Sequence, residues 1–279
     1  MKNNQLMIYG AYGYAGELMV REAVAQRLRP IIAGRDAEKL KPIATELSLE
    51  CRAFGVRNTG SNLQDISVLL NCAGPFSATA EPLARACLAQ QIHYLDITGE
   101  IDIFRKCHAL DEEARQQNVL ILPGAGTDIV PTDCLAAMLK EKLHVATRID
   151  LALSFGTNPS IGTVNTMIES FGKGGLIREG GMLKVVSNAF QMRKIPFQNK
   201  PQWAMTIPWG DVFTSGISTG VPDGAVYMAM PRMSIYMIRL TNPVKGILNT
   251  QFGQKITKRL AGWLMKKGPD AKALEAGRG

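Results

Sequence analysis

The chain has 279 residues, 46% of them hydrophobic and 20% charged, which is enough for one large or two modest domains with real cores. Five scattered cysteines and three histidines show no CxxC, HExxH or zinc-like spacing, so no metal is expected and the thiols read as reduced, in a cytoplasmic protein. No apolar run has the length of a membrane span or the setting of a signal peptide, and repeats and low-complexity runs are absent.

Residues 6–9 read as a short buried strand that breaks into Gly10-Ala11-Tyr12-Gly13-Tyr14-Ala15-Gly16, with a helix expected over 17–26. In a strand–turn–helix setting the three glycines have separate jobs. Gly10 allows the tight turn, Gly13 lets backbone N–H groups approach a pyrophosphate, and Gly16 lets helix pack on strand. The helix start adds unpaired donors and a positive dipole end, so Tyr12, Tyr14 and Ala15 join the glycines in a candidate phosphate cradle. A second strand over 31–33 ends in Gly34-Arg35-Asp36. An acid there would bind a ribose 2′-hydroxyl, whereas an arginine suits a 2′-phosphate. Arg35 comes first, and Lys39 lies one turn beyond Asp36, which favours NADP(H) over NAD(H). Asp36 is either a ribose ligand or the N-cap of a helix over 37–47.

A strand is placed near 51–54. Strands over 68–72, 93–96 and 119–122 then alternate with helices over 80–91 and 103–118, the pattern of right-handed βαβ crossovers on a parallel sheet. Ligands of such sheets bind beyond the carboxyl ends of the strands, so Asn71-Cys72-Ala73-Gly74-Pro75-Phe76 reads as the contact for the cofactor's ribose and nicotinamide. Cys72 has no base beside it and reads as a buried thiol rather than a nucleophile. The next strand end, Tyr94-Leu95-Asp96-Ile97-Thr98-Gly99-Glu100, offers Tyr94 and Asp96 as candidate catalytic groups, while Thr98 and Glu100 suit caps of the following helix. Asp128, in the Gly124-to-Asp133 segment, is the third catalytic candidate, and Asp133 falls in the first turn of a helix. No tyrosine is followed four residues later by lysine, so the short-chain dehydrogenase pair is absent.

Past Pro131 the pattern changes. A helix over 132–143 and an alternating strand over 148–155 precede glycine-rich turns (Gly172, Gly174, Gly175, Gly180, Gly181), a Pro-, Trp- and Thr-rich segment over 200–219 and a strand over 226–230. The fold class is therefore α/β: residues 1–133 form a Rossmann-type doubly wound parallel sheet, and residues 134–279 an α+β domain expected to cover its carboxyl edge. Charge is uneven along the chain, with net −3 over 1–135, +4 over 136–238 and +7 over 239–279. No nucleic-acid-binding motif accompanies the basic tail, so nucleic acid is not an expected partner. Residues 247–265 make a basic amphipathic helix, which either packs on its own domain or meets an acidic protein or membrane surface through 247–267.

Taken together, these motifs resemble the saccharopine dehydrogenase-like oxidoreductases, in particular their trans-acting enoyl reductase group. The resemblance runs through residues 10–16, Ala33-Gly34-Arg35, 71–76, 94–100 and 124–133. It continues in Phe155-Gly156-Thr157, Ile207-Pro208-Trp209-Gly210-Asp211 and Ser218-Thr219-Gly220-Val221-Pro222. It implies an NADP(H)-binding Rossmann domain, with the phosphate-loop role on Gly10, Gly13 and Gly16 and the adenosine-phosphate role on Arg35. It also implies hydride transfer to or from an enoyl, carbonyl or imine bond of a small-molecule or lipid-linked substrate. A homodimer is a candidate assembly, and the cysteines and the basic helix leave a cytoplasmic or membrane-peripheral setting. Members of that group continue past the basic helix with further strands, so a chain ending in Gly268-Pro269-Asp270 and a short polar tail reads as C-terminally truncated. The competing expectation is a cofactor-binding module without turnover that acts at a protein or membrane surface.

Overall fold

Six short segments in the first part of the chain, most of them apolar, become six parallel strands. The computed structural model describes residues 5–154, 174–198, 200–240 and 242–244, divided between two units, Met1–Thr132 and Asp133–Gly279. In the first unit the strands are β1 (Leu6–Tyr9), β2 (Ile31–Gly34), β3 (Cys51–Ala53), β4 (Val68–Asn71), β5 (His93–Asp96) and β6 (Ile121–Leu122). They pair in the order β3-β2-β1-β4-β5-β6, and each pairing is parallel. Helices α1 (Tyr14–Ala25), α2 (Ala37–Leu47), α3 (Phe76–Ala89), α4 (Ile101–His108) and α5 (Asp111–Gln116) run between the strands, and α6 (Val130–Lys142) follows β6. This is the strand order of a doubly wound Rossmann sheet, whose winding reverses between β1 and β4.

Both faces of the central strands are covered, which is why β1, β2 and β4 read as nearly continuous apolar runs. Successive β1 side chains point to opposite faces. Met7 and Tyr9 enter a core with Leu83, Leu88 and Ile103, whereas Ile8 enters another with Val20, Ala23, Leu40 and Ile43. Each fully buried aliphatic side chain there contributes about 1.5–3 kcal/mol. The helix expected over 103–118 is two helices, because the chain turns at Ala109 and buries Leu110, whose N–H donates to the Cys107 carbonyl. Helices α1 and α3 begin earlier than their apolar periodicity, since the turns before them already lie in helical register: Glu17 N–H donates to the Gly13 carbonyl at 2.8 Å.

The second unit holds β7 (Arg148–Leu153), β8 (Gly175–Glu179), β9 (Met182–Val186), β10 (Met192–Pro196), β11 (Pro201–Ile207) and β12 (Asp223–Ala229), with helices α7 (Asp211–Thr219) and α8 (Arg232–Leu240). The sheet order is β10-β11-β12-β8-β9, antiparallel throughout, and β7 adds to β12 in parallel. Gly180 and Gly181, at φ +58° and +79°, turn the β8–β9 hairpin, as two-residue loops of this handedness require. Strands β10 and β11 escape a reading by pattern because prolines bound them. Pro196 and Pro201 are register partners at the end of the ladder, where strand prolines are tolerated. The Phe155-Gly156-Thr157 motif and the basic helix expected over 247–265 lie outside the described residues. Among the described residues no helix is long and apolar enough to cross a membrane.

Candidate functional site

The loop after β1 sits at the switch point of the sheet. Gly10 has φ +85°, and its N–H donates to the Ala33 carbonyl at 2.7 Å. A Cβ at Gly10 would lie 2.7–2.8 Å from the backbone nitrogen, Cα and Cβ of Ala73, so the loops after β1 and β4 are in direct contact there. At Gly16 a Cβ would lie 2.1 Å from the Gly10 carbonyl oxygen, so α1 packs on the turn through a bare backbone. Gly13 is the N-cap of α1, with no side chain over the helix end, and a Cβ there would meet only the Gly10 oxygen, at 3.2 Å. Helix geometry leaves the amides of Tyr14, Ala15 and Gly16 without carbonyls one turn back, at the positive end of the dipole. Tyr14 itself stands out into solvent.

The end of β2 resolves the two roles open to Asp36. Its Oδ1 accepts the amides of Glu38 and Lys39 at 3.1 and 3.3 Å, so it is the N-cap of α2. Lys39 Nζ lies 3.5 Å from the other carboxylate oxygen and 5.6 Å from the centre of the Tyr12 ring. The Tyr12 ring lies over Gly34, where a Cβ would come 2.7 Å from its Cε1. Exposed Arg35 follows directly. Tyr12, Gly34, Arg35 and Lys39 therefore share one surface, and Gly34 is a close-approach position that the sequence reading passed over.

The ends of β4, β5 and β6 are tied by a buried polar chain. Asn71 is fully buried: its Oδ1 accepts the Ala73 amide at 3.0 Å, and its Nδ2 donates to Tyr94 Oη at 3.1 Å and Thr79 Oγ1 at 3.2 Å. Tyr94 Oη donates to Asp96 Oδ2 at 2.8 Å, and Asp96 Oδ1 accepts the amides of Thr98 and Gly124 at 3.0 and 2.9 Å. Thr79 Oγ1 closes the chain on the Ala73 carbonyl at 2.6 Å. Burial is the main cause raising the pKa values of both Tyr94 and Asp96. Asn71, expected to contact the cofactor, and Tyr94 and Asp96, expected to be catalytic, all lack exposed surface, and their polar atoms are engaged within the protein. Thr79 and Gly124 complete the chain; no spacing rule in the sequence points to either.

Cys72 is buried, and burial foremost pushes its thiol up to about 12, in keeping with a structural thiol rather than a nucleophile. Ala73, Gly74, Pro75 and Phe76 keep access to solvent. Thr98 Oγ1 accepts the Glu100 amide at 3.1 Å, and Glu100 is the N-cap of α4, without a side-chain cap bond. Asp128 stands in the loop after β6, with Oδ2 3.7 Å from where a Gly99 Cβ would be. Its side chain keeps solvent access, yet the surrounding protein is dense enough for desolvation to raise its pKa.

In the second unit the 218–222 motif, together with residues 212–216 that follow the 207–211 motif, serves a buried arginine. Arg178, on β8, donates from Nε to the Val221 carbonyl at 3.1 Å and from Nη1 to the Val212 carbonyl and, at 3.1 Å, to Ser215 Oγ. A Cβ on Gly216 or Gly224 would come within 2.9 Å of its guanidinium, so both glycines make room for it. Burial lowers the Arg178 pKa, opposed by Asp223 and Asp133. Asp133, in the first turn of α6, accepts from Ser218 Oγ. Among the described residues Arg178 Nη2, Asp133 Oδ1 and Thr214 Oγ1 are buried without a hydrogen-bond partner.

Residues 6–122 match the family described as saccharopine dehydrogenase NADP binding domain. A saccharopine dehydrogenase-like oxidoreductase of Rattus norvegicus is 26% identical over 231 residues, 72% of this chain and 53% of that protein. A Mycobacterium tuberculosis protein named for trans-acting enoyl reductase activity is 28% identical over 206 residues, 66% of this chain and 44% of its own. Saccharopine dehydrogenase (L-Glu forming) of Saccharomyces cerevisiae superposes with a TM-score of 0.63 at 10% identity, over 86% of this chain and 57% of that one, a likeness of fold. The chain spans about half the length of the curated relatives it matches.

Proposed function

We propose that this chain, which carries a saccharopine dehydrogenase-type nicotinamide-cofactor domain and is related to the saccharopine dehydrogenase-like oxidoreductases, is an NADP(H)-dependent oxidoreductase. The reading rests on one observation, the side-chain-free cradle at the β1–β4 switch point. Gly10 and Gly16 pack backbone on backbone to shape it, Gly13 leaves the start of α1 without a side chain, and the α1 amides open onto it. Residues 10–16 would hold the pyrophosphate, Tyr12 would flank the adenosine, and Arg35 with Lys39 would hold a 2′-phosphate. Because the Asp36 carboxylate is occupied as a cap, the surface beside it offers cations rather than an acid, which supports NADP(H) over NAD(H).

When bound, the cofactor supplies or accepts a hydride at its nicotinamide. Residues 73–76 would form the wall on which that end rests. Asp128, solvent-accessible and with a raised pKa, would give or take the accompanying proton. The substrate class is an enoyl, carbonyl or imine compound, small or lipid-linked, and the relative named for enoyl reduction supports the first of these. The five free thiols fit a reducing, cytoplasmic setting. The test is a thermal-shift titration of NADPH against NADH on wild type and Arg35→Ala. Wild type should prefer NADPH and the variant should lose that preference; an unchanged preference overturns the 2′-phosphate assignment.

A second reading, a cofactor-binding module that works at an anionic membrane surface, is favoured by α8. Met233, Met237 and Leu240 are 71%, 59% and 71% exposed, and with Tyr236 they occupy one continuous face bordered by Arg232 and Arg239. From Gly224 to Pro269 the sequence holds eight Lys or Arg and no Asp or Glu. An apolar stripe edged by cations suits insertion at a lipid headgroup boundary. Flotation with phosphatidylserine vesicles tests this: Met233→Asp/Met237→Asp should abolish co-flotation, and equal recovery of wild type and variant removes the reading.

A further inference from the structure

We propose that Asn71, Tyr94 and Asp96 are positioning residues that set the shape of the turn over residues 72–76, and through it the fit of the nicotinamide half of the cofactor. The inference rests on the cofactor reading above, and goes beyond it in assigning a task to residues that no ligand can reach.

The hydrogen-bonded chain has one possible direction. The Ala73 N–H can only donate, so the Asn71 atom facing it at 3.0 Å is the oxygen, and Asn71 Nδ2 is left as the donor toward Tyr94 and Thr79. Tyr94 Oη accepts from Asn71 Nδ2 and has one hydrogen of its own to donate, which goes to Asp96 Oδ2. Asp96 can accept because its other oxygen already takes the backbone amides of Thr98 and Gly124. Thr79 Oγ1, in turn, donates to the Ala73 carbonyl. The Ala73 residue is thus clamped on both of its backbone polar groups by side chains of β4 and α3, and the orientation of the clamp is referred through Tyr94 to the backbone beyond β5 and β6.

Ala73 is also the residue that touches Gly10, so any shift of the clamp moves one wall of the switch-point crevice against the other. Packing alone gives no reason for the hydroxyl. Tyr94 is wholly enclosed in an apolar core that a phenylalanine ring would fill equally well, yet a buried hydroxyl must be matched at both donor and acceptor. A chain that costs desolvation and is fully matched specifies one geometry. What it specifies here is the turn that lies across the crevice from the phosphate loop. The adenosine side, built from Tyr12, Gly34, Arg35 and Lys39, makes no hydrogen bond to this chain.

That asymmetry provides the test. Kd values for NADPH and for adenosine 2′,5′-bisphosphate, which lacks the nicotinamide half, are measured by calorimetry on the full chain. Tyr94→Phe removes only the hydroxyl, and Thr79→Val removes the clamp on the Ala73 carbonyl together with one acceptor of Asn71 Nδ2. Each should weaken NADPH about tenfold while leaving adenosine 2′,5′-bisphosphate within about twofold of wild type. Thr79→Ser, which keeps the donor, should restore NADPH binding. Equal weakening of both ligands would mean a merely structural role and overturns the proposal, as would unchanged NADPH binding in both loss variants. If Tyr94→Phe does not fold, the Thr79 pair decides alone. Wild type that binds neither ligand refutes the cofactor reading, and the inference with it.

Discussion

Gly16→Ala and Gly13→Ala lie three residues apart on the same loop and should fail in different ways. At Gly16 the new methyl would stand 2.1 Å from the Gly10 carbonyl oxygen and 2.8 Å from its carbon, both backbone atoms that no rotamer change can move. Ordinary contact requires a displacement of more than about 1 Å between α1 and the loop, and overpacking of that kind costs about 3 kcal/mol, the upper end of its usual range. For a chain of this size that lowers Tm by roughly 6–12 °C. At Gly13 the methyl would meet only the Gly10 oxygen, at 3.2 Å, and the backbone at φ −78° and ψ 159° suits alanine, so the fold should lose about 1 kcal/mol or less. That methyl would nevertheless stand at the mouth of α1, where the pyrophosphate must approach. Thermal melts with and without NADPH separate the two effects. At a concentration of about one hundred times Kd, wild type should gain roughly 2.7 kcal/mol of stability. Gly13→Ala should melt near wild type without ligand and gain little with it, whereas Gly16→Ala should melt well below wild type from the start. A Gly16→Ala protein with wild-type Tm, or a Gly13→Ala protein with the full ligand shift, would refute the separation of roles.

Three further outcomes follow from the same geometry. Cys51 and Cys134 are exposed, while burial pushes the Cys72, Cys87 and Cys107 thiols up to about 12, so native protein at pH 8 should take iodoacetamide at two sites; rapid labelling of a third contradicts the burial. Gly216→Ala should cost about 1–3 kcal/mol by crowding Arg178, and much less in an Arg178→Met background; additive effects in denaturant melts would show that the glycine does not serve the guanidinium. Desolvation raises the Asp128 pKa above its ordinary 3.8, so the folded state holds that proton more tightly than the unfolded one. The resulting stabilisation is present at low pH and is lost as pH rises through the folded pKa. Asp128→Asn should therefore gain in Tm over wild type on going from pH 4 to pH 7, and a gap that does not widen argues against the desolvation.

The parallel sheet was legible because its signals are local: apolar runs of strand length, glycines at the first turn, and helical periodicity between strands. Boundaries were less so, since α1 and α3 start in turns whose helical backbone is set by contacts such as Glu17 N–H to the Gly13 carbonyl, which no side-chain pattern reveals. The second unit was read less completely. Residues 192–196 and 201–207 form strands although prolines bound them, because tertiary pairing outweighs weak local preference. Arg178 could not be found from the sequence at all. Its surroundings come from β8, α7 and the segment before β12, and the two glycines that admit it lie 38 and 46 positions further along.

The burial of Asn71 and Asp96 points to a physical rule about strand ends. Asn71 and Asp96 are register partners in β4 and β5, still within the ladder, and there a polar side chain has buried backbone groups within reach and little water. Such a residue is recruited to satisfy those groups, as Asp96 does for the amides of Thr98 and Gly124. Asp128 lies six residues past Leu122, the end of β6, where the loop has left the ladder and the carboxyl keeps its access to solvent. Chemistry at the carboxyl edge of a parallel sheet is therefore better sought in residues beyond the last paired position than in those that end the strand. The rule divides the three original candidates in an assay: once a substrate is in hand, Asp128→Asn should lower turnover and alter its pH profile, whereas Tyr94→Phe should leave the profile in place and act through cofactor affinity.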